Sequence, residues 1–209
     1  MNQEFAVLFD LDGVIIDTEP QYDLFWIKAG KEYKLEKGIE QKIKGTTLPN
    51  IVTIFLSHLP QEQIDKLLKE SAEFETQMQM PPVPGVLAFL HELKENNIKI
   101  GLVTSSDNKK LDITFKNVPI RHYFDTIVSA NRITHGKPHP MCYLLAAQDL
   151  GVDPKNCIVF EDSFHGIQSG NNAGMKVVGL STTNPEESIK DMVWKVIPDF
   201  KNFTLKSLL

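Results

Sequence analysis

The sequence FAVLFDLDGV occupies residues 5–14, and the prediction of the fold starts from it. Its first half, residues 5–9, is a short apolar run with branched and aromatic side chains, as in a strand that is buried on both faces of a parallel sheet. The run stops at Asp10, and a second carboxylate, Asp12, and Gly13 come soon after it. We therefore expect a buried first strand with two acidic residues at its carboxyl end.

Similar apolar runs recur along the chain and alternate with segments of helical patterning. The predicted strands are residues 98–103, 126–129, 157–160 and 176–180. The predicted helices are residues 86–96, 107–116, 140–150 and 166–173. Such alternation indicates an α/β fold, in which helices cover both faces of a parallel sheet and ligands bind outside the carboxyl ends of the strands.

One long segment interrupts this alternation. Residues 19–79 contain no convincing strand, and their apolar side chains repeat at helical spacing in two sets. The first set is Tyr22, Phe25, Trp26, Ala29 and Tyr33, and the second is Ile64, Leu67, Leu68 and Ala72. A rigid, proline-rich return to the sheet follows. We expect an all-helical domain, residues 16–82, inserted after the first strand of a core made of residues 1–15 and 83–209.

The composition limits the class of protein. The chain has 209 residues, of which 42% are hydrophobic and 23% charged, as is typical of a globular protein with a full core. Its net charge of −5 argues against nucleic-acid binding. No stretch approaches the ~20 apolar residues of a membrane helix, and residues 1–10 lack the features of a secretion signal. We expect a cytoplasmic protein, monomeric by default, whose partner is a small molecule.

A second acidic pair follows another predicted strand. Glu161 and Asp162 come directly after residues 157–160 and precede a glycine-rich helix. Because the carboxyl ends of parallel strands meet at one edge of the sheet, this pair should approach Asp10 and Asp12. Four carboxylates in one place repel each other unless a hard cation lies between them, and oxygen ligands of this kind select Mg²⁺. The four acids therefore predict a magnesium site.

Two further loops offer groups that bind an anion. Residues 104–107, Thr-Ser-Ser-Asp, follow the predicted strand 98–103 and supply hydroxyl and backbone donors, although the same pattern also caps helices. Lys137 lies in the sequence GKPHP, in which two prolines restrict the backbone around the lysine. This rigid setting suggests that the lysine ammonium is directed at an anionic group.

These motifs, in this order along the chain, resemble those of the haloacid dehalogenase superfamily. They are the DxDGV of residues 10–14, the Thr-Ser-Ser of residues 104–106, the GKP of residues 136–138 and the ED of residues 161–162. More narrowly, DLDGVIIDTEP at residues 10–20 resembles the β-phosphoglucomutase-like phosphohydrolases. The resemblance covers nearly the whole chain, and it implies a Rossmann-like core with the helical insertion as a cap over the site.

The resemblance also implies a mechanism. Asp10 would attack phosphorus and form an aspartyl phosphate, while Asp12 would protonate the leaving group and later deprotonate the attacking water. Mg²⁺ would be held by Asp10, the backbone carbonyl of Asp12 and Asp162, with Glu161 bound either directly or through another ligand. The transferring phosphoryl group would be held by Thr104, Ser105 and Lys137.

The helical cap would select the substrate. Its loops at residues 15–22 and 44–47 would face the core site, so several of its side chains are candidate substrate contacts, together with the serines of the core loop. These candidates are Thr18, Tyr22, Lys44, Gly45, Thr46, Ser105 and Ser106. We expect the enzyme to hydrolyse a small phosphomonoester, such as a sugar or polyol phosphate.

A β-phosphoglucomutase, which interconverts glucose 1-phosphate and glucose 6-phosphate, remains the alternative. A mutase must hold a second phosphate, which calls for an arginine or another basic group in the cap. This chain departs from the mutase pattern with Tyr22 in place of a histidine and Leu48 in place of an arginine, and residues 71–93 contain no lysine or arginine. Lys28 and Lys44 are the basic residues that could take over this role.

Overall fold

The strands of the computed structural model, which describes residues 5–208, form one parallel sheet. They are β1 (Ala6–Phe9), β2 (Lys99–Val103), β3 (Thr126–Val128), β4 (Cys157–Glu161), β5 (Lys176–Leu180) and β6 (Lys195–Ile197). Within the described residues the order across this six-stranded sheet is β3-β2-β1-β4-β5-β6, and every neighbouring pair is parallel. The predicted α/β fold is thereby confirmed.

Helices occupy the connections between the strands. They are α1 (Glu19–Glu32), α2 (Ile39–Lys42), α3 (Leu48–Ile51), α4 (Gln61–Gln77), α5 (Val86–Glu95), α6 (Asn108–Asn117), α7 (Met141–Leu150), α8 (Phe164–Asn172) and α9 (Glu186–Ile189). A π-helical turn, Val52–Leu56, continues α3. Among residues 5–208, a helix with the length and apolar character of a membrane span does not occur.

The sheet is covered on both faces because successive side chains of a strand point to opposite sides. Val7 and Phe9 of β1 pack into one apolar cluster with side chains of α5 and α6. Ala6 and Leu8 pack into a second cluster with side chains of α7 and α8. All four β1 side chains are fully buried, which explains why this strand reads as an uninterrupted apolar run.

The strands and helices predicted from the sequence occur within two residues of their expected ends. One strand, β6, was not predicted from the sequence. It is only three residues long, begins with the half-buried Lys195 and forms the edge of the sheet beside β5. A short edge strand that is incompletely buried produces no apolar run, so the sequence carries no signal for it.

The helical insertion, defined here as residues 19–77 between β1 and α5, has an apolar core of its own, as predicted. Trp26 and Tyr33 of α1 pack there with Ile64 and Leu67 of α4. The prediction that Ala72 belongs to this apolar core is wrong.

Ala72 is exposed, and Ser71 is buried in its place. The buried side chains of α4 are Ile64, Leu67 and Ser71, which follow one another at intervals of three and four residues. Ala72 lies one residue beyond this stripe and is therefore rotated by about 100° towards solvent.

Two hydrogen bonds join the chain segments that enter and leave the helical insertion. The Asp17 N–H donates to the Pro81 carbonyl oxygen at 2.8 Å, and the Val83 N–H donates to the Ile15 carbonyl oxygen at 2.9 Å. The two segments are paired antiparallel at this point. The division into a domain of residues 16–82 and a core of residues 1–15 and 83–209 stays a prediction, and residues 1–4 and 209 lie outside the described part.

Gly85, directly before α5, lets the C-terminal segment pack against the core. The Phe200 N–H donates to the Pro84 carbonyl oxygen at 2.9 Å, and the Phe200 ring stacks on Phe89 with centroids 5.5 Å apart. Gly85 has a φ of +84°, and a Cβ built on it would lie 2.4 Å from the carbonyl carbon of Phe200.

We expect Gly85→Ala to destabilise the protein more than Gly151→Ala. Both glycines have positive φ, so both substitutions carry about 1 kcal/mol of backbone strain. A Cβ at Gly151 meets nothing within 4 Å, whereas one at Gly85 meets the backbone of Phe200. This overlap should cost a further ~1–3 kcal/mol. Urea denaturation of the two variants measures the difference, and equal losses would contradict close packing of Phe200 on Gly85.

Candidate active site

Side chains from three neighbouring strands meet at one edge of the sheet. β1 lies between β2 and β4, so the residues that follow these strands are adjacent in space. Asp10 follows β1, Thr104 follows β2, and Asp162 follows β4, whose last residue is Glu161. All four residues are buried. The convergence that the parallel order predicts is therefore present.

Lys137 reaches the same edge from the loop before α7. Its Nζ donates to Asp10 Oδ1 at 2.6 Å and to Glu161 Oε1 at 2.5 Å, and the residue is only 3% exposed. Burial by itself would lower the pKa of Lys137, but the two carboxylates outweigh burial and raise the pKa above its ordinary value. The anionic target expected for this lysine is thus a pair of carboxylates within the site.

Glu161 is held by protein donors at both of its oxygens. Oε1 accepts from Lys137 and from the Tyr143 hydroxyl at 2.7 Å. Oε2 accepts from the Asp162 N–H at 3.1 Å, the Ser163 N–H at 3.4 Å and the Ser163 hydroxyl at 3.2 Å. A Cβ on Gly166 would lie 1.9 Å from this carboxylate, so the residue at that position has to be glycine. The surroundings of Glu161 therefore fix it in one position.

A buried cluster of three acids could hold a metal ion. Asp10, Glu161 and Asp162 each offer a carboxylate oxygen, and these atoms lie within 4.8 Å of one another. Asp162 is oriented by the Thr183 hydroxyl, which donates to Oδ2, and by the absence of a side chain at Gly13, where a Cβ would lie 2.0 Å from that oxygen. A set of oxygen ligands fits a hard divalent cation rather than zinc or copper.

The ionisation of these acids agrees with such a site. Burial raises the pKa of Asp10 to about 7, although the Lys137 ammonium acts in the opposite direction. Burial also raises the pKa of Asp162 well above its usual range, and the neighbouring carboxylates add to the effect. Buried carboxyl groups this close to one another resist being charged together, and a divalent cation would favour their charged forms.

The Asp12 side chain does not belong to the acid cluster and is held by three donors. The Thr18 hydroxyl donates to Oδ1, and the Ser106 hydroxyl donates to Oδ2 at 3.2 Å. The third donor is the Lys110 ammonium, 2.5 Å from Oδ2. Thr18, a predicted substrate contact, is fully buried, so it orients Asp12 instead of lining the cleft.

Lys110 is a site residue that the sequence analysis missed. It lies in the first turn of α6 and is 4% exposed, and its Nζ is 4.6 Å from the centroid of the Tyr22 ring. The signal for it is weak but present, because Lys110 and Thr114 are four residues apart and share the buried face of α6. A lysine on the buried face of a helix needs a carboxylate partner, and here the partner is Asp12.

The loop between β2 and α6 connects the site to the helical insertion. The Thr104 hydroxyl accepts from the Ser106 N–H at 3.0 Å, while Asp107 caps α6 by accepting from the Lys110 N–H at 2.9 Å. The Ser105 hydroxyl donates to the Gly45 carbonyl oxygen at 2.8 Å. The hydroxyl groups expected in this loop therefore line the same cleft as Asp10 and Asp12. The residue of the loop that caps a helix is Asp107.

A cleft of about 440 Å³ lies between the core and the helical insertion. Residues from both sides line it, and the predicted site residues among them are Asp10, Asp12, Tyr22, Lys44, Gly45, Thr46, Thr104, Ser105, Ser106 and Asp162. Lys137 and Glu161 do not line this cleft. Lys28 is exposed and also lies outside the lining.

Two of the predicted cap contacts, Tyr22 and Lys44, already have partners on their own side of the cleft. The Tyr22 hydroxyl donates to Glu75 Oε1 at 2.8 Å. The Lys44 ammonium is 2.9 Å from Asp23 Oδ1 and 3.2 Å from Glu19 Oε2. These residues present paired charges and hydroxyl groups to the cleft rather than an uncompensated cation.

Comparisons with known proteins agree with this geometry. A family model described as Haloacid dehalogenase-like hydrolase matches residues 7–180. The fructose-1-phosphate phosphatase YqaB of Escherichia coli is 32% identical over 185 residues, which cover 86% of this chain and 98% of that protein. Hexitol phosphatase B of Escherichia coli is 28% identical in a match that covers 99% of this chain and 97% of that protein.

A similar solved structure is that of a β-phosphoglucomutase, pgmB, from Clostridium difficile. It has a TM-score of 0.82 and 26% sequence identity, and the match covers 99% of this chain and 96% of that chain. The similarity therefore includes the helical insertion as well as the sheet.

We expect Tyr143→Phe to destabilise the protein by about 1–3 kcal/mol, because Glu161 is fully buried and loses a hydroxyl donor. Tyr123→Phe is a matched control, since the Tyr123 hydroxyl has no hydrogen bond within residues 5–208, and its effect should stay within about 0.5 kcal/mol. Urea denaturation measures both free energies of unfolding. Equal values would show that Tyr143 does not support Glu161.

Proposed function

The chain belongs to the haloacid dehalogenase-like hydrolases, and on this basis we propose that it is a magnesium-dependent phosphatase of sugar or polyol monophosphates that forms an aspartyl phosphate on Asp10. The observation that carries the proposal is the state of the Asp10 carboxylate. Lys137 binds Oδ1 at 2.6 Å, Oδ2 accepts no hydrogen bond within residues 5–208, and the residue lines the cleft. A carboxyl oxygen that faces a cleft without a hydrogen-bond partner is suited to be a nucleophile, and a bound divalent cation would favour its charged form.

The relatives support both the reaction and the substrate class. Two of them are named as phosphatases of fructose 1-phosphate and of hexitol phosphates, and each covers most of this chain. The cleft of about 440 Å³ is lined by hydroxyl, amide and carboxylate groups along with apolar side chains, which suits a polyhydroxylated molecule.

In the first step, an Asp10 oxygen forms a bond to phosphorus as the ester P–O bond breaks, and Asp12 gives a proton to the leaving oxygen. In the second step, a water oxygen attacks the aspartyl phosphate while Asp12 takes a proton from it, which releases inorganic phosphate and restores Asp10. Lys137 offsets charge on Asp10, and Thr104 and Ser105 donate to the phosphoryl oxygens.

The metal ligands we propose are the side chains of Asp10 and Asp162 and the backbone carbonyl of Asp12. Mg²⁺ bound there would supply positive charge to the phosphoryl oxygens. Five donors already converge on the two oxygens of Glu161, which favours indirect over direct contact of this residue with the metal. We therefore assign Glu161 to orienting Lys137.

The charge of the cleft favours a phosphatase over the mutase. A mutase would need a cap cation for the second phosphate, but Lys44 is already paired with Glu19 and Asp23. Leu48, which replaces the arginine of the mutase pattern, lines the cleft with an apolar side chain. A hydrolytic reaction needs no second phosphate site, so these features are compatible with it.

The function is tested by phosphate release at neutral pH with Mg²⁺, using sugar, polyol and nucleotide monophosphates. We expect steady release from sugar or polyol phosphates, and Asp10→Asn should lower kcat by more than about a thousandfold because the nucleophile is lost. Asp112→Asn is the matched control, because Asp112 is exposed on α6, away from the cleft. Full activity of Asp10→Asn would exclude the covalent mechanism.

The same assay distinguishes the mutase. Glucose 1-phosphate is supplied and glucose 6-phosphate is followed by a coupled reaction. Formation of glucose 6-phosphate without free phosphate would identify a mutase and reject the argument from Lys44 and Leu48.

Metal dependence has a readout that does not require substrate. Chelation by EDTA should abolish turnover and Mg²⁺ should restore it. At about 100 times its dissociation constant, Mg²⁺ should also raise Tm by about 5–10 °C, because it binds only the folded site. Asp162→Asn should lose this shift, and Asp112→Asn should keep it. Turnover that is indifferent to EDTA would remove the metal from the mechanism.

A further inference from the structure

The Lys110 ammonium occupies the part of the cleft where the leaving group of a substrate has to lie. It is 2.5 Å from Asp12 Oδ2, and the Tyr22 ring lies 4.6 Å from it on the side of the helical insertion. If Asp12 is the acid that protonates the leaving oxygen, atoms bonded to that oxygen come within reach of the same ammonium. Lys110 is thus next to the portion of the substrate that differs between phosphoesters.

The ammonium has donors left for a ligand. A lysine ammonium carries three N–H donors, and among residues 5–208 only Asp12 accepts a hydrogen bond from the Lys110 ammonium. The Tyr22 ring provides an electrostatic contact on a second side. Lys110 also lines the cleft, so at least one donor is available to a hydroxyl group there.

The surroundings of Lys110 are rich in negative charge. The insertion contributes three glutamates to the lining, Glu19, Glu40 and Glu75, but one lysine, Lys44, which is already paired. Burial raises the pKa of Glu75 and of Glu19, and the Lys110 cation opposes that rise in both. The carboxylates around Lys110 therefore disfavour a second anionic group of a substrate beside it.

We infer that Lys110 is a specificity-determining residue that, with Glu75, selects phosphoesters whose leaving group is an uncharged polyol. Lys110 donates to hydroxyl oxygens beside the ester oxygen, and Glu75 accepts from hydroxyl groups further along the same molecule. A carboxylate or second phosphate in that position meets Glu75 and Glu19 and is repelled. This inference rests on the proposed phosphatase function and adds the choice of leaving group to it.

The test compares two phosphoesters that differ at one carbon. Sorbitol 6-phosphate ends in a hydroxymethyl group where 6-phosphogluconate has a carboxylate, and glycerol 3-phosphate and 3-phosphoglycerate form a shorter pair of the same kind. p-Nitrophenyl phosphate serves as a reference substrate without hydroxyl groups. We expect kcat/KM to be at least tenfold higher for the uncharged member of a pair. Glu75→Gln, which keeps the acceptor for Tyr22, should reduce this preference at least threefold.

Lys110→Met separates recognition from a merely structural role. It should lower kcat/KM for the polyol phosphate, relative to that for p-nitrophenyl phosphate, by at least tenfold. Lys109→Met is the matched control, since Lys109 is the adjacent residue of α6, exposed and outside the lining, and it should leave the ratio unchanged.

Each outcome bears on one of the two proposals. An equal fall with both classes of substrate, or a wild-type preference for the carboxylate, would overturn the role of Lys110. Hydrolysis of p-nitrophenyl phosphate but of no polyol phosphate would also reject it and leave the phosphatase function standing. Failure to hydrolyse any phosphoester, including p-nitrophenyl phosphate, would instead reject the proposed function.

Discussion

The buried Lys137 ammonium is the interaction on which the rest of the site depends. It lies between Asp10 and Glu161, at 2.6 and 2.5 Å, and shares the edge of the sheet with Asp162. Burying three carboxylates without a cation would be strongly unfavourable, and a buried charge is tolerated only when it is paired and hydrogen-bonded. The Tyr143 hydroxyl and the space left by Gly166 fix Glu161, so the lysine has one position to occupy.

A second buried lysine, Lys110, is paired with a carboxylate on the cleft side of the site. Lys110 pairs with Asp12, which the Thr18 hydroxyl also binds, so the two aspartates of the DxD motif face different cations. Asp10 is bound by the buried Lys137. Asp12 is bound by Lys110, whose ammonium also contacts the Tyr22 ring of the helical insertion. This separation gives two carboxylates, two residues apart in the chain, different surroundings and hence different chemical roles.

Much of the fold could be predicted because its signals are local. Each inner strand is buried on both faces and reads as an apolar run, whereas β6 at the edge has no such run. Apolar spacing predicts Ala72 in the core of the helical insertion, whereas the structure buries the adjacent Ser71. Spacing alone does not decide which of two adjacent small residues lies on the buried face of α4. The convergence of Asp10 with Asp162 was predictable because β1 and β4 are parallel, although their pairing depends on strand order.

The alternating α/β pattern, the helical insertion after β1 and the residue types of an acidic site with one lysine can all be read from the amino-acid sequence. Those features depend on local spacing and on the direction of parallel strands. Which atoms pair is visible only in the folded chain, because the partners are far apart in the sequence. Lys110 is 98 residues from Asp12, and Tyr22 is 53 residues from Glu75. The first contact joins α6 to the loop after β1, and the second joins α1 to α4, so both follow from the packing of separate elements, which no local pattern encodes.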